Sequence, residues 1–266
     1  QIIYLERNNK KNRHDGFFGT LTLIKELKNH NFEKAFVFNS SFRFNLIAKI
    51  AGIKKVYQYP LFEKKNQHII DAAKKFLKKE IDLDVDSNPE IILDEYDVKK
   101  AQKNFNININ QKNILLGIGG SGETKRIPPE IILKFMEMSV LHYNDCKFFL
   151  ATGQNEKEQI ILNAILNSKF KERCVALDKI QLEDILPIIK NCKIAICNDS
   201  SFSHLSAALQ IETIVLMSDT PLIYGNYSSK MHPIIPDGET TVTHDTHGKN
   251  KINPEKIFQK FKKLLN

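Results

Sequence analysis

The residues whose types and spacing suggest chemistry are Asn198, Asp199, Ser200 and Ser201, followed by His204. This group comes directly after an apolar run and leads into a helical pattern. A strand that ends in small polar residues before a helix directs several backbone N–H groups and the positive end of the helix dipole at one point, where an anion binds. Asp and Ser are also the usual N-cap residues, so an ordinary helix cap is the alternative.

A glycine-rich segment upstream favours a diphosphate site. Gly119, Gly120 and Gly122 allow the backbone to approach a ligand closely, and Lys125 and Arg126 can neutralise phosphate. The segment has neither the GxxxxGK[ST] pattern of a Walker A loop nor the strict GxGxxG of a dinucleotide fold. No acidic ribose-binding residue follows such a pattern, which disfavours an NAD-dependent oxidoreductase. Surface glycines beside an interdomain salt bridge are the remaining alternative.

The elements that must position these residues alternate between strands and helices. Apolar runs predict strands at 114–118, 147–151, 174–177, 194–197 and 213–217, and helical spacing predicts helices at 129–142, 156–167, 182–190 and 203–209. This order predicts a doubly wound, Rossmann-like domain. Its ligand should lie beyond the carboxyl ends of the strands, where the loops 119–125, 153–156 and 198–204 meet.

The first part of the chain shows a similar alternation. The pattern predicts strands at 1–5, 35–38 and 55–59 and helices at 17–27, 42–51, 67–79 and 97–105, an order typical of a parallel sheet. The polar stretch 106–113 is the expected joint. The sequence therefore predicts two domains, 1–105 and 106–266.

Composition limits the classes of protein that fit. With 42% hydrophobic and 26% charged residues, the chain has the composition of a soluble globular protein, and no apolar run reaches the roughly 20 residues that span a bilayer. A net charge of +8 favours anionic partners, with a lysine-rich solvated surface as the alternative. Four cysteines without CxxC spacing indicate buried thiols in a reducing cytoplasm.

Two acidic or histidine-containing stretches resemble metal sites. The pairs Asp82-Leu-Asp84 and Asp84-Val-Asp86 resemble a DxD motif, but they lie in a turn-rich link, so a solvated linker is the preferred interpretation. His244, Asp245 and His247 lie in a polar loop and are likewise interpreted as solvated. The sequence predicts no metal site.

The motifs, taken in order, resemble one known family. GGSGETKRIPPE, then TGQNEKE, then LDKIQLEDILPIIKNCKIAICNDSSFSHLSAAL are similar to glycosyltransferase family 9, the ADP-heptose:lipopolysaccharide heptosyltransferases. The resemblance is dense from residue 105 to residue 221 and looser between 32 and 57. No single motif is specific, but their order and spacing together are.

The resemblance implies a GT-B fold, in which two Rossmann-like domains face a cleft, with the acceptor on the first domain and the nucleotide sugar on the second. It implies an inverting, metal-independent sugar transfer. The implied catalytic residues are Lys125, which would neutralise the diphosphate, and Asp199, which would lie at the donor together with His204. Independently of the resemblance, the place of Asp199 ahead of the helix predicts that it caps the helix, and the positive end of the helix dipole predicts a neutral His204. The other implied donor-binding residues are Gly120, Ser121, Gly122, Thr124, Glu156, Ser200 and Ser201.

The chain departs from the family pattern in ways that concern the donor and the general base. Ser200-Ser201 replaces Thr-Gly, Ile127 replaces a tryptophan, and Met217–Pro221 shortens the usual loop. The family's general base is an Asp in a Gly-Asp turn after the first strand, a turn that we expect upstream of Gln1 or missing. Asp15, followed by glycine, is the local stand-in. The first domain is thus expected to lack its first strand and loop.

The resemblance predicts transfer of a heptose from ADP-heptose to a lipopolysaccharide core or another cell-envelope glycan. The expected place is the cytoplasm, with peripheral contact at the cytoplasmic face of the inner membrane. No cofactor and no nucleic acid partner are expected. The helix 254–265 should pack back as the terminal helix. The alternative is a non-catalytic nucleotide-sugar-binding or assembly protein derived from the family.

Overall fold

The computed structural model describes residues 2–7, 12–59, 68–85 and 88–265. The chain divides into two compact units, Gln1–Asp86 and Ser87–Asn266. This boundary lies earlier than the expected joint at 106–113, because the helix Glu95–Asn104 packs on the helix Leu182–Lys190 of the second unit. The side chain of Gln102 donates a hydrogen bond of 2.6 Å to Asn191 Oδ1, which fixes that packing.

The first unit is a small α/β layer. Its elements are α1 (Gly16–Asn29), β1 (Lys34–Val37), α2 (Phe42–Ile50), β2 (Lys55–Gln58) and α3 (Ile69–Ile81). The strands β1 and β2 pair in parallel, with Lys34 opposite Lys55. The strand expected at 1–5 is wrong for the described residues 2–5, which carry exposed Ile2 and Tyr4 and form no strand.

The second unit is the predicted doubly wound domain. Its helices are α4 (Glu95–Asn104), α5 (Pro129–His142), α6 (Glu156–Leu166), α7 (Leu182–Lys190), α8 (Ser201–Ala208) and α9 (Pro254–Leu265). Its strands are β3 (Lys112–Gly117), β4 (Cys146–Ala151), β5 (Cys174–Ala176), β6 (Ile194–Asn198), β7 (Thr213–Leu216) and β8 (Met231–Ile234). They pair in parallel in the order β5-β4-β3-β6-β7-β8.

The strand order reverses at one place in this sheet. The chain starts at β3, winds outwards through β4 and β5, and returns to the other side of β3 as β6. The carboxyl ends of β3 and β6 therefore form the topological switch point, where open α/β sheets bind their ligands. The glycine-rich loop follows β3 and the Asp199 segment follows β6.

A dry core holds both ends of the switch point in place. The side chains of Leu116 in β3, Leu150 in β4 and Ile196 in β6 are at most 2% exposed. On the same side of the sheet, Phe261 of α9 is fully buried and packs edge-on against Phe135 of α5, with ring centroids 5.3 Å apart. The terminal helix thus packs on the second unit.

The structure confirms that the cysteines are free thiols and that most of them are buried. The four cysteines are free, and three of them are buried, with Cys174 half-buried. Burial raises the pKa of the Cys146 thiol to about 11 and that of Cys197 to about 12. Such thiols are protonated and unreactive at neutral pH.

The DxD stretch is a solvated segment as expected, as far as it is described. Lys78 pairs with Asp82 at 2.8 Å and with Asp84 at 2.6 Å, and both carboxylates are well exposed; Asp86 lies outside the described residues. Across the described ranges, no group of three His, Cys, Asp or Glu residues is arranged to hold a metal ion. Within the same ranges, no helix combines the length and the apolar character needed to cross a bilayer.

Candidate anion-binding site at the sheet switch point

Asn198, the last residue of β6, ties the two loops of the switch point together. Its side chain is almost fully buried, and its Nδ2 donates to the carbonyl oxygens of Ile118 at 2.8 Å and Gly119 at 3.2 Å. These two carbonyls begin the glycine-rich loop after β3. Asn198 therefore fixes the start of that loop relative to the segment that carries Asp199.

Lys125 and Asp199 meet across the switch point. Lys125 ends a short 3-10 turn at Glu123–Lys125, and its Nζ lies 2.7 Å from Asp199 Oδ2. The Asp199 side chain is 7% exposed and that of Lys125 is 25% exposed. The ammonium group is thus partly accessible to solvent, whereas the carboxylate is buried.

The helix α8 begins here without a side-chain cap. Ser200 is its N-cap residue, in an extended conformation, and no described side chain caps the first turn. The expected role of Asp199 as the helix cap is therefore wrong, because its carboxylate turns to Lys125 instead. The buried Ser200 hydroxyl oxygen has no partner among the described residues, and Ser201 is exposed at the first position of the helix. The free N–H groups of this turn and the helix dipole favour an anion at this point.

Glu158 contributes to the site, although the sequence pattern pointed to Glu156. Glu156 is exposed at the first position of α6, whereas Glu158 is 6% exposed and accepts a 2.6 Å hydrogen bond from the N–H of Gly120. Asn155 caps α6 by accepting from the N–H of Glu158, and its amide also bonds the Glu158 carboxylate. An N-cap Asn with Glu three residues later is a capping-box pattern, which was the available signal for Glu158.

Two side chains hold the backbone carbonyl groups of the glycine-rich loop. The Gly120 carbonyl accepts from Arg126 Nη1 at 2.8 Å, and the Thr124 carbonyl accepts from Ser218 Oγ at 2.8 Å. Ser121 is exposed and Gly122 is half-buried, both ahead of the turn that carries Lys125. Because the N–H of Gly120 is taken by Glu158, this group is directed away from a ligand.

His204 lies in the first turn of α8 and pairs with Tyr227. Its Nδ1 is 2.7 Å from the Tyr227 hydroxyl, and the rings stack with centroids 5.6 Å apart. Burial lowers the pKa of His204, and Lys125 adds to this effect while Asp199 opposes it. His204 is therefore neutral at pH 7, because the lowered pKa lies below its usual value of about 6.5. Nothing in the sequence indicated Tyr227.

The segment around His247 forms hydrogen bonds with Asp219 and with the turn that carries Lys125. Asp219 Oδ1 accepts a 2.6 Å hydrogen bond from the His247 N–H, and Lys249 Nζ donates to the Glu123 carbonyl at 3.2 Å. Burial opposes ionisation of Asp219, but the bonds from His247 and Thr124, with the charges of His247 and His244, hold its pKa below the usual range. The His247 side chain itself is well exposed, as expected of a solvated loop.

In the first unit, Asp15 lies directly before α1. Its carboxylate accepts a 3.0 Å hydrogen bond from the Asn12 N–H, and Arg7 lies at 4.0 Å. The glycine that follows has a φ of +64°. The role of Asp15 as a general base stays a prediction.

The parallel sheet with its switch point, and the polar loops that meet there, define the α/β class of fold called GT-B. The family model of glycosyltransferase family 9 (heptosyltransferase) matches residues 20–235. The chain belongs to this family.

Known proteins similar to this chain agree with the assignment. Lipopolysaccharide heptosyltransferase 1 of Campylobacter coli is 26% identical over 139 residues, which is 52% of this chain and 40% of that protein. The matched region thus spans two-fifths of the curated relative.

Solved structures show the same fold. E. coli ADP-heptose lps heptosyltransferase II matches with a TM-score of 0.74 and 19% identity, over 92% of this chain and 80% of that one. The glycosyl transferase family 9 structure from Veillonella parvula matches with a TM-score of 0.79 and 18% identity, over 97% of this chain and 80% of that one. The structure of E. coli heptosyltransferase WaaC with ADP matches with a TM-score of 0.67 and 14% identity, over 92% of this chain and 77% of that one.

Proposed function

We propose that this protein transfers a heptose from ADP-heptose to a lipopolysaccharide core or another cell-envelope glycan. The observation that carries the proposal is the Lys125 ammonium group at the switch point, bound to Asp199, which directly precedes Ser200, the N-cap residue of the uncapped helix α8. A cation and free backbone N–H groups directed at one point suit a diphosphate. Family membership and the WaaC structure with ADP support the choice of donor.

The reaction we propose is a single displacement. The hydroxyl oxygen of the acceptor attacks the anomeric carbon, the bond from that carbon to the phosphate oxygen breaks, and ADP leaves with the bonding electron pair. The hydroxyl proton passes to a general base. Attack opposite the leaving group inverts the anomeric configuration.

Lys125 and the first turn of α8 would stabilise the leaving diphosphate. Charge develops on the phosphate oxygens as the bond breaks, and preorganised cations and N–H groups stabilise such charge without a metal ion or another cofactor. Neutral His204 and the carboxylate of Asp199 would hold sugar hydroxyl groups by hydrogen bonds, since Asp199 offers acceptor oxygens, and the second ring nitrogen of His204 donates or accepts according to its tautomer.

The acceptor would be an acidic glycan or glycolipid at the cytoplasmic face of the inner membrane. Most of the excess of 39 Lys and Arg over 31 Asp and Glu lies in residues 1–86, which gives the first unit a strong positive charge. Such a charge attracts phosphorylated glycans and anionic lipid headgroups.

A transfer assay tests this proposal. The protein is incubated with ADP-heptose and a heptose-deficient lipopolysaccharide, in the presence of a metal chelator; the product is detected by mass spectrometry, and its anomeric configuration is determined by NMR spectroscopy. We expect an added heptose with the inverted anomeric configuration, and less product from UDP-linked donors. ADP binding without any transfer would instead favour the non-catalytic nucleotide-sugar-binding protein.

A further inference from the structure

Glu158 is a buried carboxylate next to the proposed diphosphate site. It is 6% exposed, and no described Lys or Arg forms an ion pair with it. One oxygen accepts from the N–H of Gly120 at 2.6 Å, and the other accepts from the amide of Asn155. A buried carboxylate is costly unless such donors and a helix N-terminus compensate it, so this arrangement indicates a specific role.

The backbone on both sides of Glu158 is shaped to admit its carboxylate. A Cβ atom at Gly119 would lie 2.8 Å from Glu158 Oε1, and one at Gly153 would collide with Oε2. Only glycine allows the loops after β3 and β4 to approach the carboxylate this closely. Two loops from neighbouring strands therefore converge on one side chain.

We propose that Glu158 is a positioning residue that sets the conformation of the loop 119–125, and thereby the place of Lys125. Glu158 holds the N–H of Gly120, while Asn198 holds the carbonyl of Gly119 and Arg126 holds that of Gly120. With the start of the loop fixed in this way, the turn at Glu123–Lys125 places the ammonium group of Lys125 against Asp199. The effect on ligand affinity rests on the proposed function; the effect on the loop does not.

Two variants distinguish the effect of the hydrogen bonds of Glu158 from the effect of its side-chain size. Glu158→Gln keeps the size of the side chain and can still accept from Gly120, but its new NH₂ group then faces the NH₂ group of Asn155. Adding Asn155→Asp supplies an acceptor in place of that NH₂ group. In the double variant, the NH₂ group of the new glutamine donates to the new carboxylate at position 155, which restores that hydrogen bond with donor and acceptor exchanged, while the glutamine oxygen still accepts from the N–H of Gly120. The double variant also keeps the cap on α6 and retains the net charge.

Hydrogen exchange and ADP affinity are measured on the full chain. In Glu158→Gln we expect amide exchange across 119–126 to be about tenfold faster and ADP affinity about tenfold weaker, the loss expected for one charge-assisted hydrogen bond. In the double variant both should return to within about threefold of the wild-type values, a difference of less than 1 kcal/mol. Glu95→Gln, the same change in the exposed first turn of α4, is the matched control and should alter neither.

Unchanged exchange across 119–126 in folded Glu158→Gln would overturn the proposal. So would a double variant that recovers its melting temperature but neither its exchange rates nor its ADP affinity, because Glu158 would then stabilise the fold without positioning the loop. A wild-type protein that binds no ADP would contradict the proposed function, while the exchange measurement would still decide the role of Glu158.

Discussion

The ion pair between Lys125 and Asp199 predicts that removing its two members has unequal effects on stability. In Lys125→Met, the carboxylate of Asp199, which is 7% exposed, loses its cation and cannot be fully hydrated. In Asp199→Asn, the ammonium group of Lys125, which is 25% exposed, can turn into solvent. The lysine substitution should therefore be the more destabilising of the two.

The magnitudes follow from the burial of each partner. Breaking a fully buried ion pair costs about 3–5 kcal/mol and an exposed pair contributes about 0–1 kcal/mol. Since the pair is half-open to solvent, we expect Lys125→Met to cost about 2 kcal/mol and Asp199→Asn about 0.5–1 kcal/mol, between these limits. The double variant should be more stable than Lys125→Met alone, because it leaves no buried charge unpaired.

Urea unfolding of the wild type, both single variants and the double variant measures this coupling. For a domain of this size, each kcal/mol also shifts the melting temperature by about 2–4 °C. Lys134→Met, which removes an exposed lysine paired with Glu137, is the matched control and should cost little. Equal losses in the two single variants, with strict additivity in the double variant, would refute the reasoning, since the side chains would then not interact.

The pair of His204 and Tyr227 gives two further predictions. Because burial lowers the pKa of His204, the unfolded chain binds a proton that the folded chain does not, so stability should fall as the pH drops below about 6.5. Urea midpoints measured between pH 5 and pH 8 should show this fall in the wild type and a weaker one in His204→Gln; identical profiles would exclude His204 as the cause. Tyr227→Phe should keep the stacked ring but lose the 2.7 Å hydrogen bond, at a cost of about 0.5–1.5 kcal/mol in urea unfolding. A larger loss would mean that the ring packing depends on the hydroxyl group.

Much of the second unit could be predicted because its signals are local. Continuous apolar runs such as 114–118 and 194–197 indicate buried parallel strands, and the order of elements then determines which loops share the carboxyl edge. That argument brings together the loops 119–125 and 198–204, which carry Lys125, Asp199 and His204, and the family resemblance adds the roles of these residues. The strand β8 was missed because its sequence, Met231-His-Pro-Ile234, is short and contains a proline.

Other features depend on tertiary partners that no local pattern contains. The sequence EKE leaves open which glutamate faces inward, and the answer is Glu158 because Gly119 and Gly153 leave room for its carboxylate. Asp199 has the usual chemistry of a helix cap, but Lys125, distant in the sequence, draws its carboxylate away. The predicted boundary at 106–113 lies later in the sequence than the observed one for a similar reason. The sequence of α4 does not show that this helix packs on α7.

The central claim is that Lys125 and the N-terminus of α8 form a diphosphate site, and calorimetric titration with ADP tests it most directly. Wild-type protein should bind one ADP per chain with a metal chelator present, and Lys125→Met should weaken binding by about 1.5–3 kcal/mol, or roughly 10- to 150-fold. Asp199→Asn should bind ADP at least as well as the wild type, because it removes a negative charge beside the phosphates. ADP affinity that is unchanged in folded Lys125→Met would contradict the account.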